Sequence, residues 1–301
     1  MNQSATWAQE GERSQVWVIK LMLWISLTAG RRLGRVVLYG IALYFTLLAP
    51  KAARASRAYL TRVLGRPPRW AERYRHVLCF ASTIHDRVFL LKGRGAQFAV
   101  EVQGADDLHA ALADGKGALL MGAHLGSFEV LRTMGRERGN LRVAMAMYPD
   151  NARKLNATLA ALAPELQQDV IALGHVDAML AVRDRLEQGN LVGLLADRSL
   201  GAQDACTRLP LLGDAAPFPD GPWRLAVLLQ RPVFFMAGLY LGSNRYQIRF
   251  ERIADFRAVA RNERSAAMAA AQQAYVQAIA RALRDSPWNW FNFYDFWQIP
   301  E

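Results

Sequence analysis

After a polar leader, the chain opens with two apolar runs and then changes its period. Val16–Gly30 (VWVIKLMLWISLTAG) is interrupted only by Lys20, and Val36–Pro50 (VVLYGIALYFTLLAP) carries no charge. Both fall short of the ~18 consecutive apolar residues that cross a bilayer. Past them, helical periodicity runs through Ala71–Leu91 (AERYRHVLCFASTIHDRVFLL), and short apolar runs then alternate with longer amphipathic ones. Ala118–Gly122, Arg142–Tyr148, Asp169–Leu173, Leu191–Ala196 and Pro232–Leu241 have the length and continuity of buried strands. Tyr246–Ile253 (YQIRFERI) alternates as a half-exposed strand does. Helices are expected over Asp106–Ala113, Phe128–Glu137, Asn151–Ala163, Val176–Gln188, Trp223–Gln230 and Asn262–Arg284. Strands separated by helices of this length make βαβ units. The fold class predicted is α/β: a mixed, largely parallel sheet flanked by helices, behind an N-terminal apolar membrane-binding helical segment. With no internal repeat and no long linker, the chain divides into a polar leader (1–15), a basic and apolar membrane-associating helical segment (16–69) and one catalytic domain (70–301).

Charge sharpens the reading of the N-terminal quarter. The chain of 301 residues carries a formal net charge of +11. Residues 1–75 hold 13 Lys/Arg against 3 Asp/Glu, whereas residues 76–301 hold 24 against 23. A nucleic-acid-binding enzyme carries its basic stripe on the folded body, so nucleic acid is not an expected partner. Basic residues beside apolar runs point instead to anionic membrane lipids. A single tilted span across both runs would bury Arg31, Arg32 and Arg35 near its centre, at high cost. A cleaved signal peptide fits poorly, because the second run lies far from Met1. The preferred picture is a pair of interfacial or half-inserted helices. Their arginines would snorkel to lipid phosphates, with Trp17, Trp24, Tyr39 and Tyr44 near the headgroups. Positive flanks are expected to place the body on the cytoplasmic side of the membrane. Two distant cysteines, Cys79 and Cys206, make neither a disulfide framework nor a zinc-site spacing, and no metal or cofactor is expected.

The chemistry centres on MGAHLGSFEV (Met121–Val130), where His124 precedes Glu129 by five positions. With five histidines and 26 acidic residues in the chain, about 0.4 such pairs arise by chance. A second pair, His109 and Asp114, in fact exists. His109 lies inside an amphipathic helix, where positions five apart diverge by about 140°. His124 instead follows the strand ALLMGA in a loop, Gly126 permits a tight turn, and Ser127 is a good N-cap for a helix whose first turn holds Glu129. Imidazole and carboxylate can then meet at the carboxyl edge of the sheet, where open α/β sheets bind ligands. The N–H groups around Gly126 and Ser127 are candidates to stabilise an oxyanion.

MGAHLGSFEVLR resembles the histidine–acid motif of the lysophospholipid/glycerophosphate acyltransferase superfamily, and within it the bacterial lipid A biosynthesis (late) acyltransferases. Three further blocks agree in order: YPDNARKLNATL (Tyr148–Leu159), LLADRSL (Leu194–Leu200) and LPLLGDAAPFPDGPWRLA (Leu209–Ala226). The aromatic tail PWNWFNFYDFW (Pro287–Trp297) is similar to glycolipid-acyltransferase-like proteins of aryl-polyene and related lipid pathways. The resemblance implies a glycerophosphate-acyltransferase-like fold and an O-acyltransferase. Its acyl group would come from a thioester of acyl carrier protein or coenzyme A and pass to a hydroxyl on a lipid or glycolipid. His124 would be the general base, and Glu129 would hold its second ring nitrogen, as the acid of a Ser-His-Asp triad does. No serine elbow G-x-S-x-G is present to suggest a covalent hydrolase. A thioesterase or lipid hydrolase using the same dyad, and a non-catalytic lipid-binding protein, are the competing readings.

Further candidates for substrate binding are Arg153, Lys154 and Asn156, for a phosphate or pantetheine phosphate, and Asp197 and Arg198, at a strand's end on the same sheet edge as His124. Phe218 is a candidate pocket wall. Each has a plainer reading, as solvated helix face, ion pair or turn. The aromatic tail suits either a core or a bilayer interface.

Overall fold

Strand β2 (Leu119–Gly126) is the centre of the molecule, and the pattern of its residues shows why. Leu119, Met121, Ala123 and Leu125 pack into one apolar cluster, while Leu120 packs into a second, so the strand is covered on both faces. Buried on both sides, such a strand reads as a continuous apolar run. The computed structural model describes residues 16–138, 142–147, 170–174, 176–198 and 204–298.

Around β2 lie β1 (Ala99–Gln103), β3 (Val143–Met147), β4 (Val170–Ala172), β5 (Leu191–Leu195), β8 (Pro232–Gly242) and β9 (Arg245–Asp255). The sheet has seven strands in the order β1-β9-β8-β2-β5-β3-β4. All pairings are parallel except β8 with β9, which form a hairpin. The helices are α1 (Val16–Leu48), α2 (Pro50–Leu64), α3 (Trp70–Leu91), α4 (Ala105–Ala111), α5 (Phe128–Arg138), α6 (Val176–Glu187), α7 (Gly221–Leu229) and α8 (Arg264–Asp285). The mixed, largely parallel α/β class read from the sequence is the class observed, and the expected helix over Asn151–Ala163 lies outside the described residues.

Three features depart from expectation. A two-stranded hairpin, β6 (Cys206–Leu211) with β7 (Asp214–Pro219), stands apart from the main sheet. Strand β2 runs on to Gly126 rather than ending at Gly122, and its ladder with β8 shifts register between those two glycines. The third departure concerns the two apolar runs, which join into one helix broken at Gly30, whose backbone is non-helical (φ 79°, ψ 172°).

Among the described residues no single helix is long and apolar enough to cross a membrane. Gly30–Leu48 and Pro50–Leu64, bent by 92°, meet the length and composition test only as a pair. Two of the three arginines between the runs turn to the protein rather than to lipid. Arg31 makes a two-pronged bond to Asp86, at 2.7 and 3.0 Å, and Asp86 is fully buried and also accepts the Tyr246 hydroxyl at 2.9 Å. Arg35 donates to the Tyr240 hydroxyl and to the Ser243 carbonyl. A buried carboxylate has to be paired, which explains why these arginines are drawn inward. Arg32 is exposed, as is the apolar row Leu33, Val36, Leu43 and Leu47 with Tyr39 and Tyr44 beside it.

Candidate active site

His124 and Asp197 meet because strand register puts them opposite each other. In the β2/β5 ladder Leu119 pairs with Val192 and Gly122 with Leu195, a constant offset of 73 residues, and His124 and Asp197 are separated by the same 73. Both lie at the carboxyl edge, His124 near the end of β2 and Asp197 two residues beyond β5. Asp197 is completely buried. Its Oδ1 accepts from the imidazole Nδ1 at 2.8 Å, and its Oδ2 accepts the backbone N–H of His124 at 3.0 Å.

Here the expected pairing of ring with motif glutamate is corrected. The Nδ1 bond goes to Asp197, while Glu129 is buried and accepts from Arg87 Nε at 3.1 Å and from Arg132 Nη1 at 3.2 Å. Glu129 stands in the first turn of α5 as predicted. Its charge is satisfied by two arginines, one on α3 and one a turn further along α5, so it has nothing to gain from the ring.

The electrostatics fit a neutral imidazole held in one tautomer. Burial raises the Asp197 carboxyl, but the attraction it exerts on a protonated His124 ring, its hydrogen bonds to His124 and the nearby Arg198 charge together hold it well below the usual carboxylate range. An ionised carboxylate only accepts, so Nδ1 carries the proton and Nε2 presents its lone pair. Burial, helped by the nearby Arg198 charge, lowers the His124 pKa from its ordinary value, and this outweighs the raising effect of Asp197. About a quarter of the imidazole side chain is accessible, and Nε2 has no hydrogen-bond partner among the described residues. A neutral, oriented and accessible nitrogen is what removing a proton from a hydroxyl requires.

The predicted loop residues serve this geometry in different ways. Gly126 has φ +71°, and a Cβ there would lie 2.0 Å from the Gly238 carbonyl oxygen, so only glycine lets β2 approach β8 so closely. Ser127 donates its N–H to that same carbonyl at 2.7 Å, which corrects its expected use as an oxyanion donor. Arg198 donates Nε to Asn292 at 2.6 Å and Nη2 to the Phe291 carbonyl at 3.0 Å, with its guanidinium 5.2 Å from the Tyr294 ring centre. Phe218 is fully buried, edge-on to Tyr275 and Phe296, and is part of the core rather than an accessible wall. Arg153, Lys154 and Asn156 lie outside the described residues.

Sequence reasoning passed over the contribution of the C-terminal tail. Trp290, Phe296 and Trp297 are core residues, which decides between the two roles open for the aromatic segment. Asn292 is 2% exposed and donates to Asp197 Oδ2 at 3.1 Å. The Phe291 N–H donates to the His124 carbonyl at 2.8 Å, and Trp290 forms an antiparallel bridge with Leu125. The sequence signal was two asparagines in an otherwise aromatic run, since a buried amide has to find polar partners.

A largely parallel sheet whose carboxyl edge holds an imidazole oriented by a buried carboxylate has the architecture of an α/β enzyme. Residues 9–298 match the profile of the bacterial lipid A biosynthesis acyltransferases, and the chain belongs to that family. It is therefore a lipid acyltransferase. Among curated proteins, none matches the chain.

Proposed function

We propose that the protein is a membrane-bound O-acyltransferase in which His124 takes the proton from an acceptor hydroxyl. The observation that carries this reading is the 2.8 Å bond between Nδ1 and the buried Asp197, which leaves Nε2 as an accessible base. The hydroxyl oxygen attacks the carbonyl carbon of an acyl thioester, from acyl carrier protein or coenzyme A, while its proton passes to Nε2. Collapse of the tetrahedral intermediate breaks the C–S bond, and the thiolate recovers that proton from the imidazolium. Asp197 stabilises the imidazolium, the role first expected of Glu129. Glu129, through Arg87 and Arg132, supports the first turn of α5 beside the base. The Arg198 charge is felt at His124, and it suits an anionic group on either substrate.

The acceptor is a lipid or glycolipid hydroxyl at the cytoplasmic face of the inner membrane. The exposed apolar row on α1 and the basic N-terminal quarter support this location.

The test is acyl transfer in anionic liposomes carrying extracted inner-membrane lipids. Isotope-labelled acyl carrier protein thioester is supplied, and label is followed into lipids by mass spectrometry. Wild type should label a discrete lipid, and His124→Ala should lose at least a hundredfold in rate. Label appearing only as free fatty acid would make the enzyme a hydrolase. Equal labelling by wild type and variant would remove His124 from the chemistry.

A further inference from the structure

We propose that Asn292, carried by the C-terminal tail, is a positioning residue for the catalytic base, acting on His124 through Asp197 and on Arg198 directly. The proposal rests on the reading of His124 as the base. Asn292 is buried between two charged groups that need opposite things from it. Its Nδ2 donates to Asp197 Oδ2 at 3.1 Å, and its Oδ1 accepts from Arg198 Nε at 2.6 Å. Turning the amide over would set oxygen against carboxylate and N–H against guanidinium, so one orientation is held.

Among the described residues Asp197 takes three donors: the imidazole on Oδ1, and the His124 N–H and the Asn292 amide on Oδ2. The two on Oδ2 fix the plane of the carboxylate, and that plane aims Oδ1 at Nδ1. Removing the amide leaves Oδ2 with one donor, and the carboxylate gains freedom to rotate away from the ring. Loss of its acceptor also releases Arg198, whose charge lowers the proton affinity of His124. The tail backbone braces the same place, with Phe291 N–H on the His124 carbonyl and the Phe291 carbonyl on Arg198 Nη2. Outer-shell partners of metal-bound histidines are typically worth about 10- to 100-fold in affinity or activity, and the same order is expected for a partner behind His124.

A neighbouring asparagine separates positioning from plain support. Asn289 is equally buried, accepts the Tyr240 N–H at 2.7 Å and donates to the Tyr240 carbonyl at 3.1 Å. It clasps the tail to β8 without touching Asp197.

The experiment uses the full chain in the liposome assay, with wild type, Asn292→Asp, Asn292→Ser and Asn289→Ala. In parallel, the His124 ring nitrogens are followed by ¹⁵N NMR titration, assigned by comparison with His124→Gln. Asn292→Asp should lose about 10- to 100-fold in kcat with KM for the thioester nearly unchanged. The acid limb of its pH profile, and the His124 titration with it, should move to higher pH, because a carboxylate replaces a neutral amide and Arg198 is drawn off. Asn292→Ser keeps a donor and should recover part of the rate. Asn289→Ala should lower Tm without moving the His124 titration. An unchanged titration in both Asn292 variants overturns the proposal, and so does an equal shift in Asn289→Ala. Should His124→Ala transfer acyl groups normally, the base assignment fails, whereas the ring titration still decides whether Asn292 orients the imidazole.

Discussion

Asp197 and Glu129 are both buried carboxylates near the end of β2, and their partners divide their roles. Asp197 faces a titratable ring, whereas Glu129 faces two permanent cations. Asp197→Asn should therefore cut kcat by about two to four orders of magnitude, because an amide can hold the wrong tautomer. Glu129→Ala should mainly cost stability, about 2 kcal/mol, by removing the buried carboxylate that the Arg87 and Arg132 guanidinium groups share. Thermal denaturation measured beside kcat for the two variants tests this division. The wild-type pH profile follows from the same residues. His124 is lowered below its ordinary ~6.5, so kcat/KM should rise with pH through a limb below that value and then level off. The Asp197 partnership was not legible in the sequence. Glu129 lies five positions from His124, while Asp197 lies 73 away and meets it only through the β2/β5 register.

At the scale of elements, α3 ties the N-terminal helices and the tail to the body. His76 does so from a fully buried position: Ser56 on α2 meets its Nδ1 at 2.9 Å, and its Nε2 donates to the Trp290 carbonyl at 2.6 Å. Burial pushes its pKa down to about 4. In the unfolded chain the ring titrates near ~6.5, so acid favours unfolding between the two values. The contribution is full above about pH 6.5, declines as pH falls, and is lost below about 4. The difference amounts to about 3 kcal/mol. His76→Gln should flatten that part of the dependence of Tm on pH, measured from about pH 7.5 down to about 4.5.

Legibility among the elements followed periodicity. Four of the five apolar runs that became strands, β2, β3, β5 and β8, needed no partner to be seen, because burial on both faces leaves an unbroken apolar signature. The β6–β7 hairpin was hidden by Pro210, Pro217 and Pro219, which speak against strand on local grounds. β1 is mostly exposed and short, with little apolar pattern to read.

At the scale of the whole molecule, charge and apolar surface gather at one end of the sequence. Arg31 and Arg35 are committed to the body, while Arg32, Arg54 and Arg57 remain exposed on α1 and α2. The row Leu33, Val36, Leu43 and Leu47 is 41–63% exposed, and apolar side chains so regularly placed on one helix suit the interface of a bilayer. Val36→Glu, Leu43→Glu and Leu47→Glu combined should cut sedimentation with anionic vesicles at least 100-fold, given about 1.5–3 kcal/mol for each buried side chain. The same variant should stay folded, since none of the three contributes to the core. Composition made the basic and apolar character of this quarter readable. It did not reveal which arginines would turn inward, because Asp86 and Tyr240 are brought to them only by folding.

The bond from Asn292 to Asp197 spans 95 positions of chain. During synthesis the ribosome releases the apolar face of α1 before His124 and Asp197, and both of these before the amide that steadies them. A half-made chain can therefore rest against lipid before it has a finished catalytic centre. On the membrane-bound reading proposed above, that order lets attachment come before competence, so that the site is completed where a lipid acceptor lies.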